Sequence, residues 1–130
     1  MDSGAKRGRL GPALAVLTGA VLLALALPAT AQAAPATTCS GREVRALPFA
    51  TGTVHVYKRA GYVCALTTPD HPGRRQAMSV TVQARGNRAV TDRGRYSYHA
   101  GPVTVHAGHR CVRVGGSVGG KAVRSGWILC

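Results

Sequence analysis

The sequence predicts an all-β fold: a small antiparallel β-sandwich or barrel, braced by two disulfides, after an N-terminal signal peptide. Three observations predict it. Apolar residues alternate with polar ones at a period of two almost throughout residues 34–130, and no helical i, i+3, i+4, i+7 stripe persists for about ten residues. Turns containing Gly, Pro or Asn interrupt that alternation roughly every ten residues, the cadence of small sandwiches and barrels. Four cysteines, Cys39, Cys64, Cys111 and Cys130, all lie beyond the apolar N-terminal stretch.

Residues 1–33 read as an export signal. Lys6, Arg7 and Arg9 form a basic start, an uncharged run rich in Leu, Ala and Val extends from Leu10 to Leu27, and Pro28 ends it. Ala31-Gln32-Ala33 then supplies the small-x-small pattern of a signal peptidase site, which predicts cleavage between Ala33 and Ala34. About 18 apolar residues nearly suffice to span a bilayer, but Gly11, Pro12, Thr18 and Gly19 weaken the run as a permanent anchor. Ala36-Thr37-Thr38 before Cys39 lacks the lead of a lipidated cysteine, and Lys6-Arg7 is not a twin-arginine signal. The remaining segment, 34–130, is long enough for one secreted domain and too short for two.

An even number of cysteines in an exported chain reads as a disulfide framework. Three pairings are open. Cys39 with Cys64 and Cys111 with Cys130 is the favoured one, because each pair then brackets a hairpin-sized segment. Each closure stabilises a small domain by about 3 kcal/mol in the chain-entropy model. No two cysteines stand close enough to form the chelating pair of a structural zinc site.

The clearest strand is Met78 to Ala84, where Met78, Val80, Val82 and Ala84 alternate with Ser79, Thr81 and Gln83, giving one buried and one wet face. Gly86-Asn87 supplies the turn after it. Upstream, Thr53 to Tyr57 and Tyr62 to Thr67 flank Lys58-Arg59-Ala60-Gly61, a four-residue hairpin loop. Pro69-Asp70-His71-Pro72-Gly73 is a loop by composition. Downstream, Val103 to His106 and Arg110 to Val114 flank Ala107-Gly108-His109, which predicts a second hairpin. Gly115 to Gly120 reads as a flexible connection to a last strand around Trp127-Ile128-Leu129, with Trp127 expected to plug the core beside the last disulfide and a surface stacking role in sugar binding as the alternative. That glycine run lacks the helix start or the Lys-Ser/Thr pair of a phosphate-cradling loop.

Charge is the second compositional signal. The full chain carries 17 Lys and Arg against 4 Asp and Glu, for a net charge of +13; removal of Asp2, Lys6, Arg7 and Arg9 with the signal leaves about +11. Such a surface attracts anionic cell-wall or extracellular polymers without a designed site, and no specific nucleic acid or membrane partner is expected after cleavage. Arg85, Arg88, Arg93 and Arg95 are the side chains whose neutralisation tests this.

The stock of catalytic groups is thin. Glu43, Asp70 and Asp92 fall in different predicted segments, which argues against the paired carboxylates of a glycosidase, and no Gly-x-Ser-x-Gly elbow exists. His55, His71, His99, His106 and His109 remain, and a His with Glu43 and an Arg is the minimum for a small ribonuclease. Nothing in the sequence sets Glu43 beside a particular histidine. His99, His106 and His109 have no diagnostic metal spacing, and the alternation puts His55 and His106 on polar faces. No catalytic residue, cofactor or metal is therefore predicted.

One stretch goes beyond composition. Thr91-Asp92-Arg93-Gly94-Arg95-Tyr96, then Ala100-Gly101-Pro102-Val103, Cys111-Val112 and Gly115-Gly116, echoed by Gly52-Thr53-Val54 and the Cys64 strand, resembles the spore-associated protein A family of filamentous actinobacteria. The resemblance covers most of residues 34–130. It implies a small exported four-cysteine protein found with aerial hyphae and spores and without established enzymatic activity. The chain departs from the family pattern after Cys111, where Arg113-Val114 replace an acidic residue and a Trp, and in its high basicity. The expectation is thus a secreted, basic, cell-surface or spore-associated structural or binding protein without catalytic activity. The alternatives are a small secreted ribonuclease and a secreted protease inhibitor presenting the loop from Thr67 to Arg75, which lies outside both favoured disulfide rings.

Overall fold

Period-two alternation produces strands wherever one parity can be buried, and eight strands result among the described residues. They are β1 (Arg42–Phe49), β2 (Gly52–Arg59), β3 (Tyr62–Pro69), β4 (Gln76–Ala84), β5 (Val90–Tyr96), β6 (Ala100–His106), β7 (Val112–Val118) and β8 (Lys121–Arg124). The computed structural model describes residues 38–130; the signal-peptide assignment and the Ala33/Ala34 cleavage site lie outside them. A first antiparallel sheet runs β1-β2-β3-β6 and a second runs β5-β4-β7-β8.

The two sheets bury one core between them. Val54, Val56, Val63 and Ala65 of the first sheet join Met78, Val80, Val82, Val112, Val114 and Val118 of the second in a single apolar cluster. In β4 the predicted parity holds, with Met78, Val80, Val82 and Ala84 all buried. Ser79, on the opposite parity, is also covered, because its hydroxyl meets that of Ser117 on β7 at 2.6 Å.

Both disulfides pair as favoured: Cys39 with Cys64 across a Cα separation of 5.6 Å, and Cys111 with Cys130 across 4.0 Å. The first ties the segment before β1 to β3. The second encloses the β7-β8 hairpin and holds the chain end against the start of β7, where Val112 and Ile128 exchange both backbone hydrogen bonds at 2.8 Å.

Three local readings are corrected. The β2-β3 hairpin turns on Ala60-Gly61 alone, with φ of 47° and 84°. Two positive φ values give the tight turn whose twist matches its strands, which lets Lys58 and Arg59 join the ladder. Ala107-Gly108-His109 does not close a hairpin, since β6 pairs with β3 and β7 with β4. It crosses between the sheets, anchored by Ala107 and Gly108 N–H groups donating to Gly61 O and by the Arg110 guanidinium donating to Ala107 O and His106 O. Gly115 and Gly116 are buried in β7. The turn falls later, at Gly119-Gly120, and the last strand is β8 rather than Trp127 to Leu129.

The Asp92-x-Gly94-x-Tyr96 and Ala100-Gly101-Pro102-Val103 segments meet at one corner. Tyr96 O–H donates to Asp92 Oδ1 at 2.6 Å and Gly101 N–H donates to Asp92 Oδ2 at 2.7 Å. Gly94 is required because a Cβ there would fall 2.9 Å from the Tyr96 ring. Tyr98, beyond the end of β5, is exposed. The hydrogen bond to Asp92 first, then desolvation and the carboxylate's charge, raise the Tyr96 pKa above its ordinary value. A tyrosine whose folded pKa is raised contributes stability that is fully present below the unfolded value of about 10 and is lost as pH rises through the higher folded one. Unfolding midpoints of the native protein should therefore fall through that alkaline window, and those of Tyr96→Phe should lack this component.

Candidate functional site

Strand pairing dictates what the outer face of the second sheet presents. Ser79 stands between Arg93 on β5 and Ser117 on β7, Thr81 between Thr91 and Gly115, and Gln83 beside Arg113. On β8, Arg124 stands opposite Gly115 and Ala122 opposite Ser117. Paired residues share a face, so this surface collects Arg93, Arg95, Arg113 and Arg124 around a floor of small, uncharged side chains. The carboxylates of the described residues lie elsewhere: Glu43 on β1, Asp70 in the β3-β4 loop, and Asp92 on the opposite parity of β5 at the Tyr96 corner. Four cations and no anion give the face a positive field.

A groove of about 480 Å³ runs over this face, lined by Ser79, Thr81, Arg93, Arg113, Gly115 and Arg124 among others. Its floor is tied by hydroxyl pairs, Ser79 with Ser117 at 2.6 Å and Thr81 with Thr91 at 2.9 Å. At one end Arg113 reaches Trp127, its guanidinium carbon 4.2 Å from the ring centroid, with that of Arg85 at 5.5 Å. Trp127 is therefore no core plug. It stands partly buried outside the core cluster, with two arginine guanidinium groups over its ring. Of the arginines singled out from sequence, Arg93 and Arg95 belong to this face, while Arg85 and Arg88 lie in the β4-β5 connection. Arg113 and Arg124 carry no such signal in the sequence, because they converge only through the β4-β7-β8 pairing.

The first sheet carries a different arrangement on its outer side. His55 Nδ1–H donates to Glu43 Oε2 at 2.8 Å, and the other ring nitrogen, Nε2, shares a hydrogen bond with the Thr68 hydroxyl at 3.1 Å. β1, β2 and β3 contribute one member each, and the register irregularity between Glu43 and Arg45 accompanies the approach of Glu43 to His55. A carboxylate that orients an imidazole makes it competent to move a proton. The other histidines do not join it: His99 Nδ1–H donates to Gly101 O at 2.9 Å, and His106 meets the edge of Tyr62 at 4.9 Å. Among the described residues no three His, Cys, Asp or Glu side chains converge as metal ligands.

Compared with protein-family models, with the curated proteins and with solved structures, the chain finds no match in any of the three.

Proposed function

We propose that this is a secreted, surface-associated binding protein that holds polyanionic polymers without chemical turnover. The observation that carries the reading is the outer face of the second sheet, which gathers Arg93, Arg95, Arg113 and Arg124 with no carboxylate among them. Two disulfides are compatible with an extracellular setting. The motif resemblance to the spore-associated protein A family supports a place at the hyphal or spore surface.

Retention on purified cell walls, heparin and RNA across a salt series tests this. Binding by exposed arginines releases condensed counterions and weakens steeply with salt. Changing Arg93, Arg113 and Arg124 together to Gln should advance elution from all three matrices and reduce the slope of log K against log salt by about 2. Unchanged elution of the triple variant overturns the reading.

A small ribonuclease is the second reading, favoured by the Glu43–His55–Thr68 chain. RNA cleavage by the native protein, lost in His55→Ala, would establish it. Intact RNA would leave the chain as a polar tie across β1, β2 and β3.

A further inference from the structure

We infer that the groove of the second sheet takes a single-stranded polynucleotide, independently of its sequence, with phosphates on Arg93 and Arg124 and a base stacked at the Arg113–Trp127 end. This rests on the polyanion reading above and narrows it to one polymer.

Arg93 on β5 and Arg124 on β8 stand on the two edge strands of the sheet, three strand spacings or about 14 Å apart at the backbone. The residues between them are short: Ser79 and Thr81 on β4, Gly115 and Ser117 on β7. One extended polymer strand lies in such a trough with cations on either side. Arginine forks suit phosphate oxygens, to which they donate two parallel hydrogen bonds. Each hydroxyl pair of the floor uses one proton internally, which leaves the second hydroxyl of each pair free to donate to a sugar or base.

Stacking separates a polynucleotide from other polyanions. A polyol phosphate or a sulfated glycan offers charge and hydroxyls but no flat ring. Beside the Arg113 end of the groove the Arg113 guanidinium lies over the Trp127 ring, with that of Arg85 also over the ring, and arginine planes and indoles are both platforms on which unpaired bases stack. Trp127 makes no core contribution that would otherwise explain a large aromatic side chain at this point. A duplex keeps its bases stacked on each other and away from that platform, which favours a single strand.

Trp127 is also the chain's one tryptophan, so its fluorescence reports directly on the end of the groove. The native protein should be titrated with an oligothymidylate of about twelve nucleotides, with the same sequence as a duplex, and with inorganic polyphosphate of matched charge. The single strand should quench Trp127 and bind about tenfold more tightly than polyphosphate, the size expected for one stacked base. In Trp127→Ala, followed by the anisotropy of a labelled oligonucleotide, that preference should disappear while polyphosphate affinity is unchanged. Trp127→Phe, which keeps a ring, should restore most of it and guards against a folding defect. Equal affinity of the native protein for oligonucleotide and polyphosphate, or tighter binding of the duplex, overturns this inference and leaves the polyanion reading intact. Loss of every ligand's sensitivity to the Arg93, Arg113 and Arg124 substitutions overturns both.

Discussion

Val82→Asp is expected to abolish secretion of folded protein, whereas Gln83→Asp, one residue along, is expected to be nearly silent. Val82 is fully buried in β4, paired with Val90 on one side and Val114 on the other, in the cluster that joins the sheets. A carboxylate there either stays charged in an apolar interior or binds a proton to escape that state. Either route costs several kcal/mol, a large share of the roughly 5–15 kcal/mol that holds a small domain together. Gln83 points the other way. Its amide donates to Asn87 O at 2.9 Å, a bond worth about 1 kcal/mol when lost. Aspartate at the same place stands opposite Arg113 and recovers about 0.2–1 kcal/mol from the cross-strand pair. Secreted yield and the denaturant midpoint measure the contrast. Similar behaviour of the two variants would mean that β4 is slipped by one residue, which exchanges its faces.

The same strand shows what the sequence makes legible. Four apolar residues at strict period two leave only one way to bury β4, and a Gly-Asn turn after it marks its end. The Cys pairing was legible for a related reason, since each disulfide closes around a hairpin. Strand partners were not. β6 and β7 both alternate well and are joined by a short Gly-containing loop, which locally resembles a hairpin; only the competition of β3 for β6 and of β4 for β7 sends them to different sheets. β1, β5 and β8 are faint in the sequence because they lie at sheet edges, where exposed Arg, Glu and Thr break up the apolar signal. Both candidate sites depend on those strands. Glu43 reaches His55 only once β1 pairs with β2, and Arg93, Arg113 and Arg124 share a face only once β5 and β8 flank β4 and β7.

Gly116 presents the second large effect, and it corrects the reading of its glycine run as a loop. Gly116 lies opposite Val80 on the inward parity of β7, so any side chain there enters the space between the sheets. A Cβ would fall 2.7 Å from Val54 Cγ2 and 3.0 Å from Ser79 O, and would strike Thr67 Oγ1. Thr67 is fully buried and donates its hydroxyl proton to Ser79 O at 2.9 Å. Gly116→Ala must therefore push the first sheet away or break that buried hydrogen bond. Overpacking costs about 1–3 kcal/mol and a buried polar group left unpaired also costs about 1–3 kcal/mol, which predicts a loss of about 1–3 kcal/mol by either route and about 2–6 kcal/mol where both occur. Gly120→Ala is the control, because a Cβ there has nothing within 4 Å; it should be neutral or gain up to about 1 kcal/mol by restricting the unfolded chain. Denaturant unfolding of both variants tests the pair, and equal midpoints would place the sheets farther apart at this point than Val54 and Gly116 require. Removing the obstructing methyl groups sharpens the test. Val54→Ala combined with Gly116→Ala should cost less than the sum of the two single changes, since the added methyl fills part of the space the valine vacates, and a cycle over the four proteins reads that coupling directly.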